Sequence, residues 1–192
     1  MQDIGGCRVV LQDIEKLVAL VEKYKRSNLD HKLVRIKDYI NEPKESDYRG
    51  VHLIYKYKSR KKKEFDGLYI EIQARTKLQH LWATAVETVG AMTSHALKSN
   101  IGSEDWLRFF SLMGDVLAKQ EGSPRVPNSP NSESELLEKL RALVTKLKVE
   151  LTLAAYSLIP ESTATLHARY YLLDVNWQRT NIVNNNDVLI YL

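Results

Sequence analysis

Alternation and helical spacing parse most of the chain before any chemistry is considered. CRVVL predicts a strand, and QDIEKLVALVEKYKR after it repeats at helical spacing, with Ile14, Leu17, Val18, Val21 and Tyr24 on one face. LVRI predicts a second short strand. The polar stretch NEPKESDYRG separates it from VHLIYKY, where Val51, Leu53, Tyr55 and Tyr57 alternate with His52, Ile54 and Lys56. SRKKKEFDG turns the chain and GLYIEIQA runs back, the pattern of an antiparallel hairpin. On the returning strand Leu68, Ile70, Ile72 and Ala74 face one way, and Tyr69, Glu71, Gln73 and Arg75 the other.

From Thr76 to about Ser99 the period becomes that of a helix, with Leu78, Leu81, Trp82, Ala85, Val89 and Met92 as its apolar positions. Ser103 is placed to cap a second helix, with Glu104 and Asp105 in its electropositive first turn. Trp106, Phe109, Phe110, Met113 and Leu117 form the stripe that this helix would bury. EGSPRVPNSPNSESE, with three prolines and four serines, predicts a flexible connector. A third helix is expected over Ser134 to Leu158, then strands in ARYYLLDV, NIV and DVLIYL. The sum is an α+β fold. It has a mixed sheet packed with helices over residues 1–122, a linker at 123–133, and a small helix-and-strands appendage at 134–192 that reads as incomplete.

Composition narrows the class. Of 192 residues 44% are hydrophobic and 27% charged, which is the balance of a globular domain, and no apolar run is long enough for a transmembrane helix. The first residues, MQDIGGCRVVL, lack the basic start of a signal peptide, and the single cysteine, Cys7, cannot form an internal disulfide. A cytoplasmic location and no membrane partner are the expectation. The formal charge of +4 is unevenly spread: eleven Lys or Arg residues fall between Lys32 and Lys63. Such a concentration suits a polyphosphate or a nucleic-acid backbone, although SRKKKEFDG alone is equally consistent with a solvated hairpin tip.

Two carboxylates stand out for their placement. Asp3 lies just before the CRVV strand and Glu71 in the middle of IEIQA. If these strands are neighbours in one sheet, the two acids can converge on one ion. Mg²⁺ is commonly held by one or two carboxylates together with substrate phosphates, and a basic loop stands nearby. Taken singly, each acid is as well explained by solvation on a polar strand.

DIGGCR, RIKDYINEPKESDYRGVHL, EIQART and LQHLWATAVE resemble, in this order and spacing, the synthetase domain of the RelA/SpoT family of alarmone synthetases. The resemblance covers about Asp3 to Gly122. It implies a nucleotidyltransferase-like core and a pyrophosphokinase that moves the β,γ-diphosphate of ATP to the ribose 3′-hydroxyl of GDP or GTP. Carried over by position, Asp3 and Glu71 match the Mg²⁺-coordinating acids, and Tyr48 the tyrosine that stacks on the acceptor guanine. Lys37, Lys44, Arg49 and His52 match positions lining the acceptor phosphates and ribose. Arg8, Gln73 and Arg75 match polar positions for phosphate contact and support. Cations suit these places because negative charge builds on phosphoryl oxygens during transfer. His80 and Glu87 are secondary candidates, and Trp82 is expected in the core.

Departures from the family pattern shape the expectation. The Arg-x-Lys motif that binds donor ATP, upstream of the metal aspartate, has no counterpart here, so this chain is expected to bind ATP poorly. Asp47 stands where a glycine is usual, and Gly50 where Ser or Ala is usual. No His-Asp hydrolase motif is present. LQHLWATAVETVG and the helix after it resemble a branch containing toxic small alarmone synthetases, some of which pyrophosphorylate the tRNA 3′ end. That resemblance keeps three readings open: guanosine nucleotide as acceptor, the tRNA acceptor stem as acceptor, or an inactive nucleotide- or partner-binding module. It also implies that the appendage answers to a phage or antitoxin protein. Homo-oligomers are common among small synthetases.

Overall fold

The computed structural model describes residues 5–93, 97, 101–126, 129–152 and 188–191. Their elements are β1 (Gly5–Leu11), α1 (Ile14–Lys25), β2 (Lys32–Asp38), β3 (Val51–Lys56), a 3₁₀ turn (Lys63–Phe65), β4 (Tyr69–Thr76), α2 (Lys77–Thr93), α3 (Glu104–Glu121), α4 (Glu133–Leu147) and β5 (Val188–Tyr191). The α+β expectation holds. By its contacts the chain divides into two compact units. One is Met1–Glu42 with Arg49–His80 and Ile182–Leu192, and the other is Pro43–Tyr48 with Leu81–Asn181.

The first unit is built on a mixed sheet of order β2-β3-β4-β1-β5. β3 and β4 form the expected antiparallel hairpin, with Leu53 opposite Ile72 and Lys56 opposite Tyr69. β1 runs parallel to β4, so the CRVV and IEIQA strands are indeed neighbours. β2 pairs antiparallel with β3 and is longer than LVRI, with an irregularity between Leu33 and Arg35. One face of the sheet carries Val9, Leu11, Val51, Leu53, Tyr55 and Ala74, and Leu17 and Val21 of α1 join that core. Burying each such side chain contributes about 1.5–3 kcal/mol before entropy is counted. Val18, expected on the apolar face of α1, is 51% exposed, because Leu17, Leu20, Val21 and Tyr24 suffice to meet the sheet. Asp13 caps α1 by accepting a hydrogen bond from the Lys16 amide (2.8 Å).

α2 begins at a reciprocal cap. Thr76 Oγ1 accepts from the Gln79 amide (3.1 Å), and Gln79 Oε1 accepts from the Thr76 amide (3.2 Å). This anchors the stripe Trp82, Ala83, Val86 and Val89, all buried. Leu81, expected in the core, is instead 63% exposed, since the buried stripe passes one residue to its side. The described helix runs to Thr93, and the expected extension to Ser99 lies outside the described residues.

In the second unit Trp106, Phe109 and Phe110 of α3 are buried, and Trp82 Nε1 donates to the Phe110 carbonyl (2.9 Å). Further along, Leu112, Asp115 and Ala118 are the most enclosed, whereas Met113 and Leu117 are only partly buried. The stripe therefore rotates relative to the expected one. Ser103 occupies the N-cap position in an extended conformation, but its side chain makes no capping bond. The Pro/Ser-rich segment, expected as a flexible connector, is anchored on α3: Arg125 Nη2 lies 3.4 Å from the buried Asp115 carboxylate, which also accepts from Ser129 Oγ. α4 starts at Glu133 and is capped by Ser132, whose Oγ accepts from the Glu135 amide. Of the tail strands, DVLIYL contains β5, which lies antiparallel to β1 with Val9 opposite Ile190. ARYYLLDV and NIV lie outside the described residues.

Candidate active site on the polar face of the sheet

The face opposite the core presents a line of site candidates. Lys37 on β2 is in register with His52 on β3, His52 with Gln73 on β4, and Gln73 with Arg8 on β1. Four residues from distant parts of the sequence thus form one row across four adjacent strands. Glu71 stands two residues along β4 from Gln73, roughly 7 Å away at the usual strand rise. On the other side of that position β1 approaches closely. Gly6 pairs with Glu71, and a Cβ on Gly6 would lie 2.5 Å from the Glu71 carbonyl oxygen, so the second glycine of DIGGCR is required by contact.

The side chains of this row are linked. His52 Nδ1 is 2.7 Å from Glu71 Oε1, and Gln73 Nε2 donates to Glu71 Oε2 at 2.8 Å. The oxygen of Gln73 faces two guanidiniums, with Arg8 Nε at 3.5 Å and Arg75 Nη2 at 3.4 Å. Only one amide orientation satisfies both sets: nitrogen toward the carboxylate, oxygen toward the cations. Arg75 is 1% exposed and Glu71 7% exposed, so these charges sit in a low-dielectric place and need partners.

The hydrogen bond to His52 holds the Glu71 carboxyl at about 2, well below the usual carboxylate range. The Gln73 bond and the charges of His52 and Lys37 act in the same direction, against burial, which raises it. Glu71 is therefore a fixed anion throughout the physiological range. Tyr39 completes the arrangement: its ring meets His52 edge-on, with centroids 5.2 Å apart. The sequence reading passed over Tyr39, although it shares strand parity with Lys37 in RIKDY and that signal was available.

Other candidates fall elsewhere. Asp3 lies outside the described residues. Arg49 is buried just ahead of β3. Lys44 and Tyr48 belong to the second unit, where Lys44 Nζ sits 4.9 Å from the centre of the Tyr48 ring. That ring is 2% exposed, so it is covered rather than presented for stacking. Asp47, between them, adopts φ +59° and is buried, and its carboxylate occupies the space that a Cβ on Gly114 would fill. His80 is half-buried on the first turn of α2, and Glu87 is half-buried further along that helix.

A magnesium ion fits this face in a limited way. Among the described residues no group of three or more His, Cys, Asp or Glu side chains converges as a protein-only cage. Glu71 is a single ionised carboxylate beside cations, the donor set expected where water and substrate phosphates supply the remaining ligands. Among the described residues no helix is long and apolar enough to cross a membrane.

Residues 1–90 match the family model described as the region found in RelA / SpoT proteins. The chain is 36% identical over 84 residues to GTP pyrophosphokinase YjbM of Bacillus subtilis, spanning 44% of this chain and 39% of that one. It is 32% identical over 84 residues to GTP pyrophosphokinase YwaC of the same organism, spanning 44% of this chain and 40% of that one. The chain thus spans about two fifths of the length of the curated relatives it matches. Small alarmone synthetase 2 of Bacillus subtilis shares the fold with a TM-score of 0.54 at 23% identity, over 64% of this chain and 63% of that one. Small alarmone synthetase 1 of Bacillus subtilis, bound to its product pppGpp, aligns with a TM-score of 0.50 at 25% identity, over 64% of this chain and 58% of that one.

Proposed function

We propose that this protein is a Mg²⁺-dependent pyrophosphokinase that transfers diphosphate from ATP to the 3′-hydroxyl of GDP or GTP. The observation that carries this reading is the Lys37–His52–Gln73–Arg8 row beside an enforced Glu71 anion. The 3′-hydroxyl oxygen attacks the β-phosphorus of ATP and gives up its proton to water, the bond from that phosphorus to the α,β-bridging oxygen breaks, and AMP leaves with the electron pair. Lys37 and Arg8 are suited to hold the phosphoryl oxygens, whose charge rises along this path, while the enclosed Arg75 helps orient Gln73. Bound Mg²⁺ would neutralise phosphate charge and orient the diphosphate, held by Glu71 and, from the family resemblance, Asp3. A carboxyl at about 2 is a weak base, so Glu71 serves better as a ligand and orienting acceptor than as the acceptor of the hydroxyl proton.

The test is to supply γ-labelled ATP with either GDP or deacylated tRNA and ask which acceptor becomes labelled. Label on GDP, lost at least about a hundredfold in Glu71→Gln, is the expected outcome. Label on tRNA alone replaces the guanosine acceptor with the tRNA 3′ end. Label on neither, from the chain alone or with an Arg-x-Lys segment fused ahead of Met1, rejects transfer and leaves a binding module.

A further inference from the structure

The bond between His52 Nδ1 and Glu71 crosses the sheet diagonally, so strand pairing alone does not enforce it. In the ladder His52 is level with Gln73, whereas Glu71 is level with Ile54, two residues further along β3. An imidazole turns about χ1 into other staggered positions, and those take Nδ1 away from the carboxylate. The His52 side chain is nevertheless held in place and only 12% exposed.

The limit to that turn lies on the opposite flank. The Tyr39 amide donates to the Gly50 carbonyl (2.9 Å), which carries the β2–β3 pairing one step past Asp38 and Val51 and sets Tyr39 level with Gly50. Gly50 comes two residues before His52 and Ile54 two residues after it. Tyr39 and Glu71 therefore bracket the imidazole from opposite directions, one from the β2 side and the other from β4. The two rings meet at 89° with centroids 5.2 Å apart, which is contact distance for an edge-on pair. Rotation of His52 away from Glu71 toward β2 would drive it into the tyrosine ring.

The backbone around Tyr39 is itself pinned. The Asp38 carboxylate accepts from the amides of Ile40 (3.0 Å) and Asn41 (3.1 Å), the two residues that follow the tyrosine. At Gly50, opposite Tyr39, φ is +145° and a Cβ would come within 3.1 Å of Arg75 Cγ, so that position favours having no side chain.

We propose that Tyr39 is a positioning residue of the transfer site: its ring is the stop that keeps His52 turned to Glu71, and through His52 it holds the Glu71 oxygens in place. The role belongs to the bulk of the ring and not to the phenolic hydroxyl, which separates it from direct contact with a substrate. Its catalytic consequence rests on the transfer reading above, whereas the contact itself does not.

The full chain labelled with ¹⁵N-histidine reports the contact with no nucleotide or metal added. An ionised carboxylate at Nδ1 selects the tautomer that carries its proton there. Long-range ¹H–¹⁵N spectra at about pH 9, above the ordinary imidazole range, should show His52 in that form, with its signals assigned by their loss in His52→Asn. Tyr39→Phe should keep this signature, and Tyr39→Leu and Tyr39→Met should lose it to a mixture of tautomers. With γ-labelled ATP and GDP, the Leu and Met variants should lose about tenfold or more in kcat, with KM for GDP within about twofold of the parent. Tyr39→Phe should stay within about twofold in both, and Tyr39→Leu should cost nothing further in a His52→Asn background. Urea unfolding identifies the folded variants, and either Leu or Met suffices. The proposal is overturned if the parent tautomer persists in the folded Leu or Met variant. It is also overturned if Phe loses as much kcat as Leu, which would make the hydroxyl a substrate contact, or if the Leu loss is undiminished in His52→Asn. Should the parent label no GDP, guanosine transfer fails as a reading, and the tautomer of the Leu and Met variants alone decides whether Tyr39 holds His52.

Discussion

Glu71 concentrates the energetics of the site in one side chain. It is 7% exposed, and its oxygens are taken up by His52 and Gln73. Because its carboxyl is held near 2, down from 4.5, folding is favoured while it is ionised. That contribution is complete above about pH 4.5 and is lost as pH falls through about 2. Replacing it with glutamine removes the ionised acceptor. The difference in urea stability between parent and Glu71→Gln should therefore be on the order of 2 kcal/mol at pH 6 and shrink toward zero near pH 2. A difference that stays constant across that range would mean that packing of the glutamine, and not the carboxylate's charge, sets the effect. Alternation along IEIQAR placed Glu71, Gln73 and Arg75 on one face from the sequence alone. The partner of Glu71 was harder to foresee, since His52 is in register with Gln73 and reaches Glu71 diagonally.

At the scale of elements, the loop before β3 depends on a helix more than sixty residues later. Asp47 adopts a left-handed φ of +59°, and its buried carboxylate fills the place of the missing Gly114 side chain on α3. Gly114→Ala should cost about 1–3 kcal/mol by thermal or urea unfolding, because the new methyl overlaps that carboxylate. Asp47→Gly, which suits the same backbone, should recover much of the loss in the double variant. Additive losses in that cycle would show that the two residues do not share the space. This dependence was illegible in the sequence, where Asp47 read only as a departure from a usual glycine. Hairpin and helices were legible from period alone. The misplaced core positions, Val18 and Leu81, came from assigning each helix one stripe before knowing which surface it meets. Likewise the Lys37–His52–Gln73–Arg8 row depends on strand register, which is set by turns and by the parallel crossover rather than by local pattern.

For the molecule as a whole, the organisation departs most from what a linear reading suggests. Pro43–Tyr48 belongs with the helical unit although it lies between two strands of the sheet. The sheet in turn recruits β5 from almost the other end of the sequence. Without β5, the strand bearing Arg8 would have an open edge with unpaired amides and carbonyls along Arg8 to Leu11. Deleting residues 188–192 should therefore raise self-association, measured by light scattering at equal concentration, and leave the β3–β4 hairpin intact. Unchanged scattering would mean that β1 needs no cover on that side.

The same pairing has a consequence in time. β1 (Gly5–Leu11) leaves the ribosome before its partner Val188–Tyr191, which follows only after every residue between them has been made. At ordinary rates of synthesis that interval is roughly 10–35 s. Throughout it, the edge of the strand that carries Arg8 is available to other partners, so the growing chain passes through a state in which a helper protein could occupy the seat later taken by β5. How quickly the sheet is completed is then governed by translation, and a pause in the message between the two strands would prolong that open state without altering a residue.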